Sequence, residues 1–230
     1  MLVGLAGAGA AGLAVWYFGR DLPAYKQLAD YKPPVATRVY AGDGRIMAEF
    51  ATQKRVFVPI KSMPRLVIDA FLSAEDHNFF SHQGVDFSAI VRAAITDALQ
   101  SNSNRRPVGA STITQQVAKT FLLNNEVSLA RKITEALLAL RLEKLLSKDR
   151  ILELYLNQIY LGGGAYGVAE AALKYFNKSV DQLTVGQAAL LAALPKAPNN
   201  YNPLRFPQAA KARRDWVIER MAEYGYILPG

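Results

Sequence analysis

"RLVIDAFLSAEDHNFFSHQGVD" runs from Arg65 to Asp86, and its reading decides the fold. Ile68, Leu72 and Glu75 fall at i, i+4 and i+7, with Phe71 one turn before Glu75, so an acid prolongs the apolar stripe of a helix. A carboxylate at the edge of an apolar face is poorly solvated, which makes it a better proton acceptor. Asp76 points elsewhere and suits the following turn. The plainer alternative, both acids solvated at a helix end, stands beside this one. The chain's only histidines, His77 and His82, lie just beyond.

Outward from this stretch the 3.6-residue period dominates. Helices are predicted over Arg65–Glu75, Phe87–Gln100, Ser111–Leu123, Ser128–Leu146, Lys148–Tyr160, Val168–Tyr175, Thr184–Leu194 and Pro207–Tyr224. Upstream, "ATRVYAGDGRIMAEF" places two short alternating runs around Gly42, Asp43 and Gly44, the pattern of a β-hairpin. "DLPAYKQLADYKPP" reads as a linker closed by two prolines. Loops are expected at "SNSNRRPVG", "LGGGAYG" and "LPKAPNNYNP".

The first 19 residues carry no charged side chain, and "LVGLAGAGAAGLAVWYF" is about as long as the shortest membrane spans. Trp16 and Tyr17 at its end suit an interfacial aromatic belt. The Gly7, Gly9, Gly12 spacing matches a dinucleotide loop, but no strand precedes it, so that reading is rejected. Residues 1–19 are therefore expected to be a transmembrane anchor, 20–34 a juxtamembrane linker and 35–230 one mostly α domain.

With 51% apolar residues the 230-residue chain can fill a core, and with no cysteine it uses neither disulfides nor thiol chemistry. The net charge of +8 favours anionic partners such as nucleic acid, anionic lipid or a phosphorylated substrate.

Three further blocks carry chemistry. In "VGASTITQQVAK", Ser111 reads as a helix N-cap, and Thr112, Gln116 and Lys119 at i, i+4, i+7 give a polar face that suits a phosphate. A solvated face would look similar. In "RKITEALLALRLEKLL", Glu135 is in register with Leu138 and Leu142 and should face inward, while Arg131 and Lys132 lie one turn before it. An ordinary helical ion pair explains that block equally well. Two inward glutamates, Glu75 and Glu135, together suit acid–base work at a sugar. In "AALLAALPKAPNNYNP", Lys196 sits between two prolines, on a rigid basic loop or a plain connector. Glu153 and Asn157 share a face in "KDRILELYLNQIYLGGGAYG" and read as scaffold.

Taken in order, "EDHNFFSHQGVD", "GASTITQQ", "RKITE", "KDRILELYLNQIYLGGGAYG" and "ALPKAPNNYNP" resemble the peptidoglycan glycosyltransferase domain of glycosyltransferase family 51, found in class A penicillin-binding proteins and monofunctional transglycosylases. The resemblance covers about Val35 to Tyr226. It implies a lysozyme-like, mostly helical fold with a small N-terminal hairpin and a membrane-facing region beside the cleft. The implied activity is polymerisation of lipid II into β-1,4-linked glycan, with inversion at the anomeric carbon and release of polyprenyl pyrophosphate.

By that resemblance Glu75 is the general base at the acceptor 4-hydroxyl, and Glu135 positions substrate or assists the leaving pyrophosphate. Asp76, Phe79 and His82 shape the surroundings of the base. Ser111, Thr112, Gln116, Lys119, Arg131, Lys132 and Lys196 match residues that contact sugar or phosphate. No cofactor is implied for the chemistry; a divalent cation, magnesium or manganese, is compatible with the pyrophosphate. The implied partners are lipid II, the growing strand and membrane lipid, with no nucleic acid, and a transpeptidase domain or other cell-wall proteins beside them.

The implied location is the extracytoplasmic side of a bacterial cytoplasmic membrane. Arg20 follows the apolar run and no basic residue precedes it, against the positive-inside pattern. This, with the class A character of the Val35–Phe50 region, leads to the expectation that the chain is a fragment of a bifunctional protein. The rival activities are a lysozyme-like lytic enzyme and a non-catalytic membrane scaffold. Neither calls for the cations Lys119, Arg131 and Lys196.

Overall fold

The computed structural model describes residues 16–20, 22–29, 31, 37–40, 46–50, 56–99, 111–123 and 128–228. Most of the expected span at 1–19, the hairpin turn at 41–45 and the loop at 101–110 lie outside them. Among the described residues no helix is long and apolar enough to cross a membrane.

The described chain is mostly helical. Its helices are α1 (Arg65–Glu75), α2 (Phe87–Leu99), α3 (Ile113–Leu122), α4 (Leu129–Leu145), α5 (Lys148–Gln158), α6 (Val168–Phe176), α7 (Val185–Ala193) and α8 (Pro207–Glu223), with short 3₁₀ turns at Tyr25–Leu28, Ile60–Ser62 and Val180–Gln182. Two strands, β1 (Thr37–Tyr40) and β2 (Ile46–Phe50), pair antiparallel, with an irregularity between Val39 and Tyr40. The chain divides into two compact units, one of residues 1–30 and 78–152, the other of 31–77 and 153–230.

In the first unit α3 packs on α4, and the Tyr25–Leu28 turn also lies against α4. Ile113 and Val117 from α3 meet a core that also holds Phe79, Leu138, Ala139 and Leu142, all buried. The α3 start differs from the sequence expectation. Thr112, not Ser111, is the N-cap: its Oγ1 accepts from Gln115 N–H, and the Gln115 side chain accepts from the Thr112 N–H at 2.9 Å. Such a reciprocal cap satisfies two of the donors a helix start leaves open.

The turn after α1 is fastened to this core. Gly84 adopts φ +90°, and a Cβ there would stand 2.7 Å from the Ala139 carbonyl oxygen. Its own carbonyl accepts from Thr112 Oγ1 at 2.6 Å. Gly84→Ala therefore meets both a left-handed backbone and a backbone atom that cannot swing aside, a cost of about 3 kcal/mol. Urea unfolding should show that loss as a lowered midpoint with an unchanged slope.

Asp86 starts α2. Its Oδ1 accepts from Ala89 N–H at 2.9 Å and from the Ser88 hydroxyl at 2.6 Å, and Oδ2 accepts from Asn78 at 3.1 Å. Burial pushes its pKa up, but these donors outweigh burial and hold it at about 2. A carboxylate depressed in the folded state adds stability above its unfolded pKa, near 4, and loses it as pH falls toward 2. Asp86 should thus contribute about 2 kcal/mol at neutral pH. Asp86→Asn should flatten the pH dependence of unfolding between about pH 4 and 2.

In the second unit α1 packs against α7 and α8, α7 against α8, and α6 against α7. Val67, Phe71, Leu72, Leu191, Val217 and Met221 fill the centre. Phe71 meets Tyr155 edge-on at 6.1 Å. Glu153 and Asn157 are scaffold, as their shared face implied. Glu153 Oε2 accepts from Ile60 N–H at 2.8 Å, and Asn157 bonds Val58 N–H and C=O at 2.8 and 2.9 Å. Two side chains thereby do for an extended segment what a neighbouring strand would do.

Candidate active site

The second unit holds the first glutamate. Along α1, Ile68, Phe71 and Leu72 are buried and Glu75 is half-buried, so the carboxylate does sit at the edge of the apolar stripe. Asp76 ends the helix, its side chain buried and its N–H bonded to Leu72 C=O. Beyond it His77 leaves the helix and stacks on Tyr224 with centroids 4.5 Å apart, a packing role.

Two cations, Lys196 and Arg213, interact electrostatically with this carboxylate. Burial lowers the Lys196 pKa, the Arg213 charge lowers it further, and the Glu75 carboxylate opposes both. Arg213 is lowered by burial while Glu75 and then Tyr201 hold it up. Its guanidinium lies 3.7 Å from the Trp216 ring centroid, which leaves Nε buried without a hydrogen bond. Burial raises the Tyr155 phenol well above its usual range, and the charges of Glu75 and Asp76 raise it further, so it stays protonated. Arg213 and Tyr155 were not legible in the sequence. Arg213 lies three residues before a tryptophan on a helix of weak amphipathicity, and Tyr155 is one apolar position among many.

The first unit holds the second glutamate. Glu135 is buried in register with Leu138 and Leu142. Arg131 Nη1 donates to its Oε2 at 2.9 Å, and Lys132 Nζ donates to its Oε1. Lys132 also donates to Ser111 Oγ at 2.8 Å, drawing the residue before the α3 cap to the first turns of α4. Ser111, Arg131, Lys132 and Glu135 therefore form one polar cluster. Thr112 is buried and occupied by its cap and by Gly84, and so is not on the open polar face the spacing gave it; Gln116 is half-buried and Lys119 exposed.

Phe79 and His82 are close neighbours with rings 6.2 Å apart, and Phe79 is fully buried. His82 Nδ1 accepts from Gly84 N–H at 3.1 Å. Lys148, which sequence reasoning did not single out, binds this turn. Its Nζ donates to His82 C=O and to Glu143, both at 2.7 Å, and lies 4.4 Å over the Phe79 ring. Thr114 Oγ1 donates to the same Glu143 at 2.6 Å.

Among the described residues no three His, Asp or Glu side chains gather as a metal site. Both oxygens of Glu135 are engaged by cations, so in this arrangement it does not fit a metal ligand.

Each unit thus carries one acid with cations about it, Glu75 in the second and Glu135 in the first. A family model described as transglycosylase matches residues 43–222, and the chain belongs to that family. Its relatives are long proteins. Penicillin-binding protein 1A of Rickettsia conorii is 55% identical over 97% of this chain and 28% of its own length. Penicillin-binding protein 1A of Aquifex aeolicus is 51% identical over 91% of this chain and 28% of its own. A crystal structure of penicillin-binding protein 1A from Haemophilus influenzae aligns with a TM-score of 0.46 at 27% identity, covering 86% of this chain and 19% of that one. The chain thus spans under a third of the length of the curated relatives it matches.

Proposed function

We propose that the domain polymerises lipid II into β-1,4-linked glycan by an inverting transfer in which Glu75 is the general base. The family match over residues 43–222 carries this reading, and the placement of both glutamates beside cations supports it. Glu75 takes the proton of the acceptor 4-hydroxyl as that oxygen attacks the anomeric carbon of the growing strand. The bond from that carbon to the pyrophosphate oxygen breaks, its electron pair leaves with the polyprenyl pyrophosphate, and the α-linkage becomes β. Arg131 and Lys132, fixed by Glu135, are suited to the departing charge, since preorganised cations stabilise a charge that grows in the transition state. Lys119, Lys196, Gln116 and Ser111 contact sugar or phosphate, while Asp76, Phe79, His82 and Thr112 hold the surrounding turns.

The substrate is a lipid, so the domain works at a membrane, with residues 1–19 as anchor, 20–34 as linker and 35–230 as catalytic domain on the extracytoplasmic face. On α2, Phe87, Ile90, Val91 and Ile95 expose an apolar stripe at helical spacing, which supports a membrane-facing region in a lysozyme-like fold. The likeness to longer penicillin-binding proteins supports a transpeptidase domain in the same protein. Incubation with labelled lipid II and, separately, with preformed glycan tests the activity. Polymer from lipid II with preformed glycan intact is the expected result, and glycan shortening with lipid II untouched would replace transfer by lytic cleavage.

A further inference from the structure

The first unit contains a cavity of about 320 Å³ lined by Tyr25, Lys26, Arg141, Lys144 and Leu145, with Glu135 not among its lining. Three of the five residues are cations and none is acidic. Glu143, which lies between two of them in sequence, is occupied elsewhere by Thr114 and Lys148. A helix C-terminus attracts cations, and that accounts for Lys144 in the last turn of α4. It does not account for Lys26, which comes from a separate segment, or for Arg141. Arg141 is braced, its Nη2 donating to Gly19 C=O at 3.3 Å and its guanidinium 5.8 Å from the Tyr25 ring. Like charges brought together in a concavity repel one another and raise the potential there, so the cavity attracts an anion.

The position of the cavity selects the anion. Gly19, which Arg141 holds, is the last residue of the uncharged apolar run. Just before it Trp16 carries Arg20 over its ring at 4.6 Å, an aromatic–cation pair of the kind found at headgroup depth. We infer that this cavity binds the phosphate of an anionic phospholipid headgroup, clamping the 22–29 segment on α4 at the membrane surface. The inference rests on the reading of residues 1–19 as a membrane segment.

The test is calorimetric titration of the full chain, in neutral detergent, with dihexanoylphosphatidylglycerol, dihexanoylphosphatidylcholine and sodium pyrophosphate. The glycerol lipid should bind more tightly than either of the others. Lys26→Gln should weaken it about fivefold, and Arg141→Gln with Lys144→Gln about twenty-five-fold, at roughly fivefold per lost cation. Lys26→Gln changes an exposed side chain and keeps the test valid if the double variant fails to fold. Equal binding of the choline lipid, equal binding of pyrophosphate, or unchanged affinity in the variants would each overturn the assignment. Polymerisation of detergent-dispersed lipid II by the double variant should be unchanged; a matching loss would make the cavity a substrate subsite and overturn it too. Flotation of the wild type with neutral vesicles reads the anchor separately, so a failed anchor and a failed cavity give different results.

Discussion

Glu75→Gln is expected to lower kcat for lipid II polymerisation by about a thousandfold, the range general-base catalysis supplies. The amide keeps the volume of the carboxylate and cannot accept the proton of the attacking hydroxyl. Because Glu75 is half-buried at the rim of α1 and not in the core with Phe71 and Leu72, the variant should stay folded. Its unfolding free energy should lie within about 1 kcal/mol of the wild type. Activity within tenfold of wild type would remove Glu75 from the role of base. A collapse of the fold would instead make it a structural residue.

Glu135→Gln should damage both catalysis and stability. The Glu135 side chain is 3% exposed and pairs with Arg131 at 17% and Lys132 at 43%. Removing one partner of a buried pair leaves charge without compensation, a loss of about 3–5 kcal/mol when both groups are fully buried. Lys132 can turn to solvent, so about 2 kcal/mol is the expected loss here. Activity should fall at least a hundredfold, because Arg131 and Lys132 lose the carboxylate that aims them. Thermal melts and initial rates on one preparation check both numbers, and a variant as stable as wild type would show that the ion cluster does not hold the start of α4.

The helices were legible because their signals are local. α1 begins and ends where the apolar period and Pro64 place it, and the predicted bounds of the others differ by one or two residues. The displaced α3 cap shows what adjacency hides. Ser111 and Thr112 are both good caps, and only the glutamine three residues after Thr112 separates them. Glu135 was legible as an inward acid because its register with Leu138 and Leu142 is a property of one helix. Arg213, Tyr155 and Lys148 were not, because their roles arise between elements distant in sequence. Lys148, for instance, reaches a carbonyl 66 residues earlier in the chain. The polar face of α3 was over-read for a related reason: helical spacing gives direction, but not what an adjoining turn such as Gly84 already occupies.

The most direct measurement is the stoichiometry and stereochemistry of turnover of lipid II by the wild type and by Glu75→Gln. One polyprenyl pyrophosphate released per new bond, every new bond β-1,4, and both signals lost together in Glu75→Gln is the predicted result. Anhydro-sugar or reducing ends generated from preformed glycan, or full turnover of lipid II by Glu75→Gln, would contradict it.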